Sequence, residues 1–244
     1  MIFRKPDKKI DFDRLPSHIG IIMDGNGRWA KKRGLSRSMG HSAGAENFKR
    51  IVTLCGEIGV SYLTVYAFST ENWGRPKDEV DNLMKLLSDY LRRSKDELCE
   101  KNVKVKIIGE REMLSDKLNR EIDELENFTK DNTGIVLNIA LSYGGRQEIV
   151  HAAKLCAQKC ADGTLSPDDI NEEVLGKYMY TGEQPDPDLI IRPSGEKRTS
   201  NFLLWQSAYS EYCFMNVLWP SFSKKHLFEA IYEYQNRDRR FGKV

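Results

Sequence analysis

The sequence has no apolar run long enough to span a bilayer, and its opening residues Met1-Ile2-Phe3-Arg4-Lys5-Pro6 lack the hydrophobic core of a signal peptide. A cytoplasmic protein is therefore expected. Excess charge of one sign is also missing. The 38 Lys and Arg against 36 Asp and Glu leave a net charge of +2, too little for a nucleic-acid binder that relies on its global field. The five cysteines, Cys55, Cys99, Cys156, Cys160 and Cys213, are odd in number and scattered, which argues against a disulfide framework. Cys156 and Cys160, with His151 upstream, find no fourth ligand at a matching spacing, so they read as small buried residues rather than a zinc site. There is no Walker A lysine motif, no Rossmann glycine pattern with its acidic partner, and no Ser-His-Asp constellation. No composition shift divides the 244 residues. A chain of this size buries roughly 70–75% of its unfolded surface and needs neither disulfides nor a structural metal. Residues 1–14 are charged and poor in apolar periodicity, so they read as a loosely packed arm, with one domain expected over residues 15–244.

What is present centres on one stretch, His18 to Lys32. An apolar run from Ile19 to Met23 reads as a strand that ends at an acid, Asp24. A turn with two glycines follows, Gly25-Asn26-Gly27, and then Arg28, Lys31, Lys32 and Arg33. Glycine lets backbone N–H groups approach a ligand closely, and arginine forks favour phosphate oxygens. Strand, glycine turn and cations together describe a diphosphate cradle. The carboxylate fits only if a cation sits between it and the phosphate, and Mg²⁺ is commonly held by one or two carboxylates plus substrate phosphates. Taken alone, Asp-Gly-Asn-Gly is equally well an ordinary tight turn.

Along the rest of the chain, Ser42 is expected to cap a helix that runs to Ile58 and stops at Gly59. A second strand covers Tyr62–Phe68, and a long amphipathic helix covers Lys77–Lys101. Strands at Val103–Ile108, Ile135–Tyr143, Leu189–Ile191 and Phe214–Trp219 alternate with helices beginning after Ser115, at Gln147, near Ser166-Pro167 and at Lys224, the last ending at Arg240. This alternation predicts an α/β fold with a mostly parallel six-stranded sheet flanked by helices. Ligands of such sheets bind beyond the carboxyl ends of the strands. Asp24, Ser69, the Tyr143–Arg146 segment and Arg192 all follow strands, so four motifs converge on one edge.

Two further loops carry charge to that edge. The Phe68–Pro76 loop offers Asn72, Trp73 and Arg75. The Arg192–Ser200 loop sets two arginines and a serine around a glycine, a pattern suited to a second phosphate. Asp168 and Asp169 follow Ser166-Pro167, and acids in a first turn suit the helix dipole, so they read as capping chemistry.

Asp24-Gly25-Asn26-Gly27-Arg28-Trp29-Ala30 resembles the signature of the cis-prenyltransferase family. The resemblance recurs at Arg37–His41, Tyr66–Pro76, Asn138–Arg146, Arg192–Trp205 and Leu218-Trp219-Pro220, so it covers nearly all of His18–Gly242. It implies repeated transfer of isopentenyl diphosphate onto an allylic diphosphate, in the long-chain case to give undecaprenyl diphosphate for cell-wall carrier lipid. It implies Mg²⁺ on Asp24, and an allylic diphosphate held by Gly25, Asn26, Gly27, Arg28, Trp29, Arg37 and His41. Ser69, Thr70, Glu71, Trp73 and Arg75 match further substrate-binding positions. Asn72 matches a residue at the reacting carbons that helps take up the lost proton, although an amide is a poor base and positioning is an equal reading. Arg192, Arg198, Thr199 and Ser200 match the site for isopentenyl diphosphate. Glu211 matches a glutamate that completes the metal site, in some members across a homodimer interface. The loop departs from the family pattern at Pro193, where threonine is usual, and at Lys197, where histidine or glutamine is usual. A protonated lysine cannot ligate Mg²⁺, which leaves open whether Lys197 assists the metal or instead donates to a diphosphate oxygen as a point charge.

The product also implies an apolar tunnel walled by the sheet and the long helices, including Leu83, Met84, Leu87 and Leu91. At ~0.8 kcal/mol per carbon, each isoprene unit buried contributes on the order of 3–4 kcal/mol. Such a product leaves most readily into a bilayer, so peripheral membrane contact is expected. Small Ala67 leaves room beside the second strand and favours a long product over a short-chain synthase. Retention of Asp24, Asn26, Arg28 and the Arg192–Ser200 loop disfavours an inert partner subunit.

Overall fold

Apolar, β-branched runs form five of the six strands, the edge strand Glu211–Phe214 being the exception, and the periodic stretches between them form the helices. The computed structural model describes residues 9–237. Its elements are β1 (His18–Ile22), α1 (Asn26–Lys31), α2 (Arg37–Ile58), β2 (Tyr62–Ser69), α3 (Lys77–Arg93), α4 (Lys95–Glu100), β3 (Lys104–Ile108), α5 (Asp116–Thr129), β4 (Val136–Tyr143), α6 (Gly145–Ala161), α7 (Glu172–Lys177), β5 (Leu189–Arg192), β6 (Glu211–Phe214) and α8 (Lys224–Gln235). The sheet order is β3-β4-β2-β1-β5-β6, and every pairing is parallel. Parallel neighbours require crossover connections, and the helices in those crossovers cover the faces of the sheet. The inner strands are accordingly buried on both faces, with Ile19, Ile21, Leu63, Val65, Leu137, Ile139, Leu189 and Ile191 in the core. The expected six-stranded α/β architecture is the one found.

Several boundaries differ from expectation for local reasons. The glycine turn after Asp24 is itself the start of α1. Gly25 caps that helix at φ +107°, and a Cβ there would approach the Leu218 side chain to 2.9 Å. Helix α2 begins at Arg37 rather than after Ser42, because the Ser36 hydroxyl accepts the Met39 N–H at 3.3 Å. Gly40 within it allows close packing on α1, since a Cβ would lie 2.3 Å from the Asn26 carbonyl oxygen. The long helix breaks at Ser94 into α3 and α4. The sixth strand is Glu211–Phe214, not Phe214–Trp219. The apolar run that follows it instead lies under the Arg192–Ser200 loop, where the Val217 and Met215 carbonyls accept the N–H groups of Ser194 and Gly195 at 2.6 and 2.8 Å. Ser115 caps α5 as expected, accepting from Leu118 N–H. The Ser166 hydroxyl caps the short turn Pro167–Asp169.

Of the expected N-terminal arm, residues 1–8 lie outside the described residues, and the last helix ends at Gln235, short of the expected Arg240. From Asp11 the chain is tied to α8: the Asp11 N–H donates to Gln235 Oε1 at 3.0 Å, and Gln235 Nε2 returns a bond to the Asp11 carbonyl at 2.6 Å.

At the start of β1, His18 is buried in a polar network. Its Nδ1–H donates to the Pro185 carbonyl at 2.7 Å, so Nε2 accepts from the Thr64 hydroxyl at 2.7 Å. Thr64 in turn accepts from Asn138, which pairs with Gln184. Burial pushes the His18 pKa down to about 4, against the smaller upward pull of the Pro185 hydrogen bond and Asp188. The unfolded chain therefore takes up a proton near pH 6.5 that the folded chain refuses until about pH 4. Stability is expected to fall through that window by about 3 kcal/mol as pH drops. Denaturation of wild type and His18→Gln between pH 7 and 4 checks this, since the variant should lose about one proton's worth of slope.

Candidate active site

Asp24 stands immediately beyond the carboxyl end of β1, held on its carbonyl by the Trp219 N–H at 3.0 Å. Trp219 is buried and donates its indole N–H to the Gly44 carbonyl at 2.9 Å, while Asn47 donates to the Trp219 carbonyl at 2.8 Å. The acid is thereby fixed to α2. Its Oδ2 accepts from Ser194 Oγ at 2.8 Å, Arg192 Nη2 at 3.0 Å and Arg28 Nη2 at 3.2 Å. Burial raises the carboxyl pKa, but the hydrogen bonds from Ser194 and Arg192 and the charges of Arg28 and Arg192 outweigh it, leaving Asp24 below the usual carboxylate range. It is ionised at neutral pH.

Arg192 ends β5 and is buried, 4% exposed. Its Nη1 donates to Ser200 Oγ at 2.8 Å and to the Arg198 carbonyl. The loop it opens contains Ser194, Ser200, Asn201 and Leu203 at φ between +44° and +92°. Each such residue costs on the order of 1–3 kcal/mol and persists only where surrounding bonds over-determine it. Asn201 supplies several of those bonds. Its carbonyl accepts from Gly145 N–H at 2.7 Å, its Oδ1 from Arg146 N–H at 2.9 Å, and its Nδ2 donates to Glu71 at 2.9 Å. The loops after β2, β4 and β5 are thus fastened together. Arg28 adds a strut from α1 to the Ser194 carbonyl and to Glu196, and Glu196 also receives Arg198 at 2.6 Å.

A second cationic group gathers around Glu79, in the first turn of α3. Arg37 and Arg75 each reach its Oε1 at 3.0 Å, and His41 Nε2 lies 3.9 Å away. The Glu79 side chain is only 10% exposed. Burial lowers the His41 pKa, Glu79 opposes this, and Arg75 and Arg37 reinforce it, so the imidazole is neutral at neutral pH. One carboxylate therefore organises two of the expected diphosphate ligands, Arg37 and Arg75, with the neutral His41 beside them.

Asp24 and the arginines of both groups line a single opening of about 1010 Å³, with Glu79, Ser194 and Glu196 behind its walls. Of the expected site residues it includes Asp24, Gly25, Asn26, Gly27, Arg28, Arg37, His41, Ser69, Glu71, Asn72, Arg75, Arg192, Arg198 and Ser200. Trp29, Thr70, Trp73 and Thr199 are not among its walls. Trp29 donates to Ser221 Oγ at 2.8 Å and carries Arg33 over its ring, while Trp73 donates to Ser142 Oγ at 2.9 Å. Both indoles brace loops. The Asn72 side-chain oxygen accepts the Ser69 N–H at 3.2 Å, closing a capping box, so the atom expected to help with a proton is already committed to the loop.

Glu211 is not brought to the site within the chain. It pairs in register with Leu189 at the amino end of β5, whereas Asp24 lies beyond the carboxyl end of β1. Its carboxylate is held by Arg237 at 2.6 Å. Sequence reasoning also missed Glu79, Asn201, Ser194 and Tyr66. Asn201 directly follows the Ser200 of the recognised loop. Tyr66 donates to the Tyr143 carbonyl at 3.0 Å and stacks on Phe202.

The Asp24 donor set suits Mg²⁺ shared with a ligand. All three bonds use Oδ2, none uses Oδ1, and the side chain is 30% exposed. Among the described residues no three His, Cys, Asp or Glu side chains gather to hold a metal unaided. A single carboxylate completed by phosphate oxygens is the usual Mg²⁺ arrangement. Beside the polar opening, and sharing Met23, His41, Ala67, Phe68 and Leu83 with it, is an apolar cavity of about 120 Å³ between α2, α3 and the sheet.

Comparison with known proteins agrees with this geometry. Residues 22–242 match the family model described as "Putative undecaprenyl diphosphate synthase". The isoprenyl transferase of Clostridium tetani is 56% identical, with 97% of this chain and 92% of that protein covered. The ditrans,polycis-undecaprenyl-diphosphate synthase of Micrococcus luteus, (2E,6E)-farnesyl-diphosphate specific, is 49% identical over 97% and 95%. Among solved structures, lavandulyl diphosphate synthase from Lavandula x intermedia, in complex with dimethylallyl diphosphate, superposes with a TM-score of 0.91 at 38% identity, covering 94% of this chain and 99% of that one. With a family match over nearly its whole length and relatives at about half identity, the chain belongs to the undecaprenyl diphosphate synthase family of prenyltransferases.

Proposed function

We propose that the protein adds isopentenyl diphosphate repeatedly to an allylic diphosphate of the farnesyl type, with each new double bond cis, to give undecaprenyl diphosphate. One observation carries the reading: Arg28, Arg37 and Arg75 from the first half of the chain and Arg192 and Arg198 from the β5 loop line one opening around Asp24, and an apolar cavity adjoins it. Two sets of arginines suit two diphosphates, and the apolar cavity suits the prenyl tail.

In each cycle the allylic C–O bond breaks with diphosphate leaving, a C–C bond forms to the double bond of isopentenyl diphosphate, and one proton is lost. Asp24 would hold Mg²⁺ with the allylic diphosphate, and the ion when bound supplies positive charge to the leaving oxygens. Arg37 and Arg75 are both held on one oxygen of Glu79 beside the opening, so they are preorganised to turn their remaining N–H donors to a diphosphate. Ser200 and Arg192 are locked together beside the Arg198 carbonyl and orient the second substrate, much of whose acceleration is positioning. The Asn72 amide retains its N–H donors for that orientation.

A homodimer belongs to this reading, because Glu211 meets the metal only if a second copy contributes it. Tyr209 and Phe214, exposed beside the open edge of β6, support an interface there. No helix among the described residues is long and apolar enough to cross a membrane. Peripheral contact with a bilayer follows from the product alone. The cavity of only 120 Å³ favours a second reading, a short-chain synthase that stops after one or a few additions.

Arg198→Ala tests the assignment of the two diphosphates. Arg198 is exposed and its guanidinium is anchored by Glu196, and loss of a charged phosphate contact is worth roughly 1.5–3 kcal/mol. The Michaelis constant for isopentenyl diphosphate should rise about tenfold or more, with that for the allylic substrate little changed. An effect confined to the allylic substrate would mean that the two sites are reversed.

A further inference from the structure

Helix α6 starts without a cap of its own. The residue at its N-cap is Gly144, which has no side chain to offer the free N–H groups of the first turn. Those groups are met from another segment. The Asn201 carbonyl accepts the Gly145 N–H at 2.7 Å, and Asn201 Oδ1 accepts the Arg146 N–H at 2.9 Å. Glycine at position 144 admits the amide, since a Cβ there would lie 2.6 Å from Asn201 Nδ2. The other half of the amide faces the loop after β2. Nδ2 donates to Glu71 Oε1 at 2.9 Å and to Gln147 Oε1 at 3.1 Å. Both polar atoms of the Asn201 side chain are therefore engaged, and together they join that loop to the start of α6.

The residue before Asn201 is Ser200, whose Oγ accepts from Arg192 at 2.8 Å. Ser200 and Asn201 both stand in the left-handed region, at φ +50° and +65°. Asparagine tolerates this region better than most residues, whereas serine has little preference for it, so the turn depends on what holds it. Behind it the Tyr66 hydroxyl reaches the Ser200 carbonyl only at 3.4 Å. The Asn201 bonds are all shorter and are the main hold. Burial raises the Glu71 pKa, but the hydrogen bonds it accepts, that of Asn201 among them, outweigh this and keep it below its ordinary value. Glu71 is thus an ionised acceptor, and its bond from Asn201 is charge-assisted. Glu71, Arg192, Ser200 and Asn201 all line the polar opening.

We infer that Asn201 is a positioning residue for the second diphosphate. By holding α6 with one end of its amide and Glu71 with the other, it fixes the turn in which Ser200 and Arg192 meet that substrate. The inference rests on the reading of the Arg192–Ser200 loop as the isopentenyl diphosphate site. An amide suits the place because an acceptor and two donors are needed at once, and aspartate keeps the first while losing the second.

The test measures both Michaelis constants, kcat and the melting temperature with Mg²⁺ present and farnesyl diphosphate as the allylic substrate. Asn201→Asp keeps the cap on α6 and sets a carboxylate against Glu71. It should raise the Michaelis constant for isopentenyl diphosphate about tenfold, the loss expected for a hydrogen bond to a charged group. The constant for farnesyl diphosphate and kcat should stay within about twofold, and the melting temperature close to wild type. Asn201→Ala, which loses the cap as well, should show the same rise and a lower melting temperature. Adding Glu71→Gln to Asn201→Asp gives the pair a donor again and should recover most of the loss. A role in stability alone would move the melting temperature without this split or this rescue. Equal rises in both constants, an unchanged constant for isopentenyl diphosphate in Asn201→Asp, or a double variant no better than Asn201→Asp would overturn the inference. So would an aspartate variant that fails to fold, since its cap is intact. Ser200→Ala, measured alongside, separates the inference from the reading beneath it. If it raises the isopentenyl diphosphate constant and Asn201→Asp does not, the loop keeps its substrate and only the part given to Asn201 is lost. If neither Ser200→Ala nor Arg198→Ala raises it, the loop is not the second site and the inference falls with that reading.

Discussion

Asp24→Asn is expected to abolish nearly all turnover while leaving a folded protein. The carboxylate is the one acid on which Arg28, Arg192 and Ser194 converge in the opening, and it offers an unengaged oxygen to a metal. Asparagine keeps an acceptor for Ser194 and Arg192 but removes the charge a divalent ion needs. Asp24→Ala should be equally inactive and also less stable. Arg192 is buried, and stripping one partner from a buried pair costs up to about 3–5 kcal/mol. Partial exposure of Asp24 and the remaining bonds of Arg192 to the β5 loop put the expected cost at or below the lower end of that range. The two variants thus separate catalysis from support. An asparagine variant that retains more than about a tenth of wild-type activity, a loss under ~1.4 kcal/mol, would contradict the metal assignment.

Replacing Ala67 by Leu should shorten the product without abolishing the first condensation. Ala67 lines both the polar opening and the apolar cavity. The pairing of β2 with β4 shifts register between Tyr66 and Phe68, so Ala67 sits at an irregularity in the ladder. Irregularities of this kind beside active sites re-aim a side chain, here toward the cavity. Leucine adds three carbons at the entrance, and a packed wall accommodates extra volume poorly. The first addition needs little depth and should survive, whereas later ones meet the obstruction. If Ala67 were instead ordinary core, Leu would cost roughly 1–3 kcal/mol of stability and leave product length alone. Product chromatography beside a melting curve distinguishes the outcomes.

The sheet was legible because its strands are buried on both faces and so read as short apolar runs bounded by breakers. Convergence of Asp24, Ser69 and Arg192 on one edge followed from strand direction alone. Helix α1 was hidden by its two glycines, one of which caps it in a conformation other residues rarely adopt. The sixth strand was misplaced because an edge strand with Glu211 and an exposed Phe214 carries less apolar signal than the Met215–Trp219 run after it. Glu79 was invisible for a different reason. An acid in a first helical turn suits the helix dipole, and nothing in its spacing shows that Arg37 and Arg75 arrive from two other segments. Trp29 and Trp73 sit inside motif stretches, yet their indole N–H groups are spent on Ser221 and Ser142. Motif membership identified the loops and left the direction of each side chain to tertiary packing.

The central claim is that the Asp24 edge joins two diphosphate substrates and stores the growing chain beside it. Incubation of the purified protein with farnesyl diphosphate, radiolabelled isopentenyl diphosphate and Mg²⁺, followed by separation of products by length, tests it most directly. Label is expected in a polyprenyl diphosphate of undecaprenyl length, and none should appear when the metal is removed with EDTA. Absence of incorporation by the intact enzyme with metal present, or undiminished incorporation without it, would contradict the account.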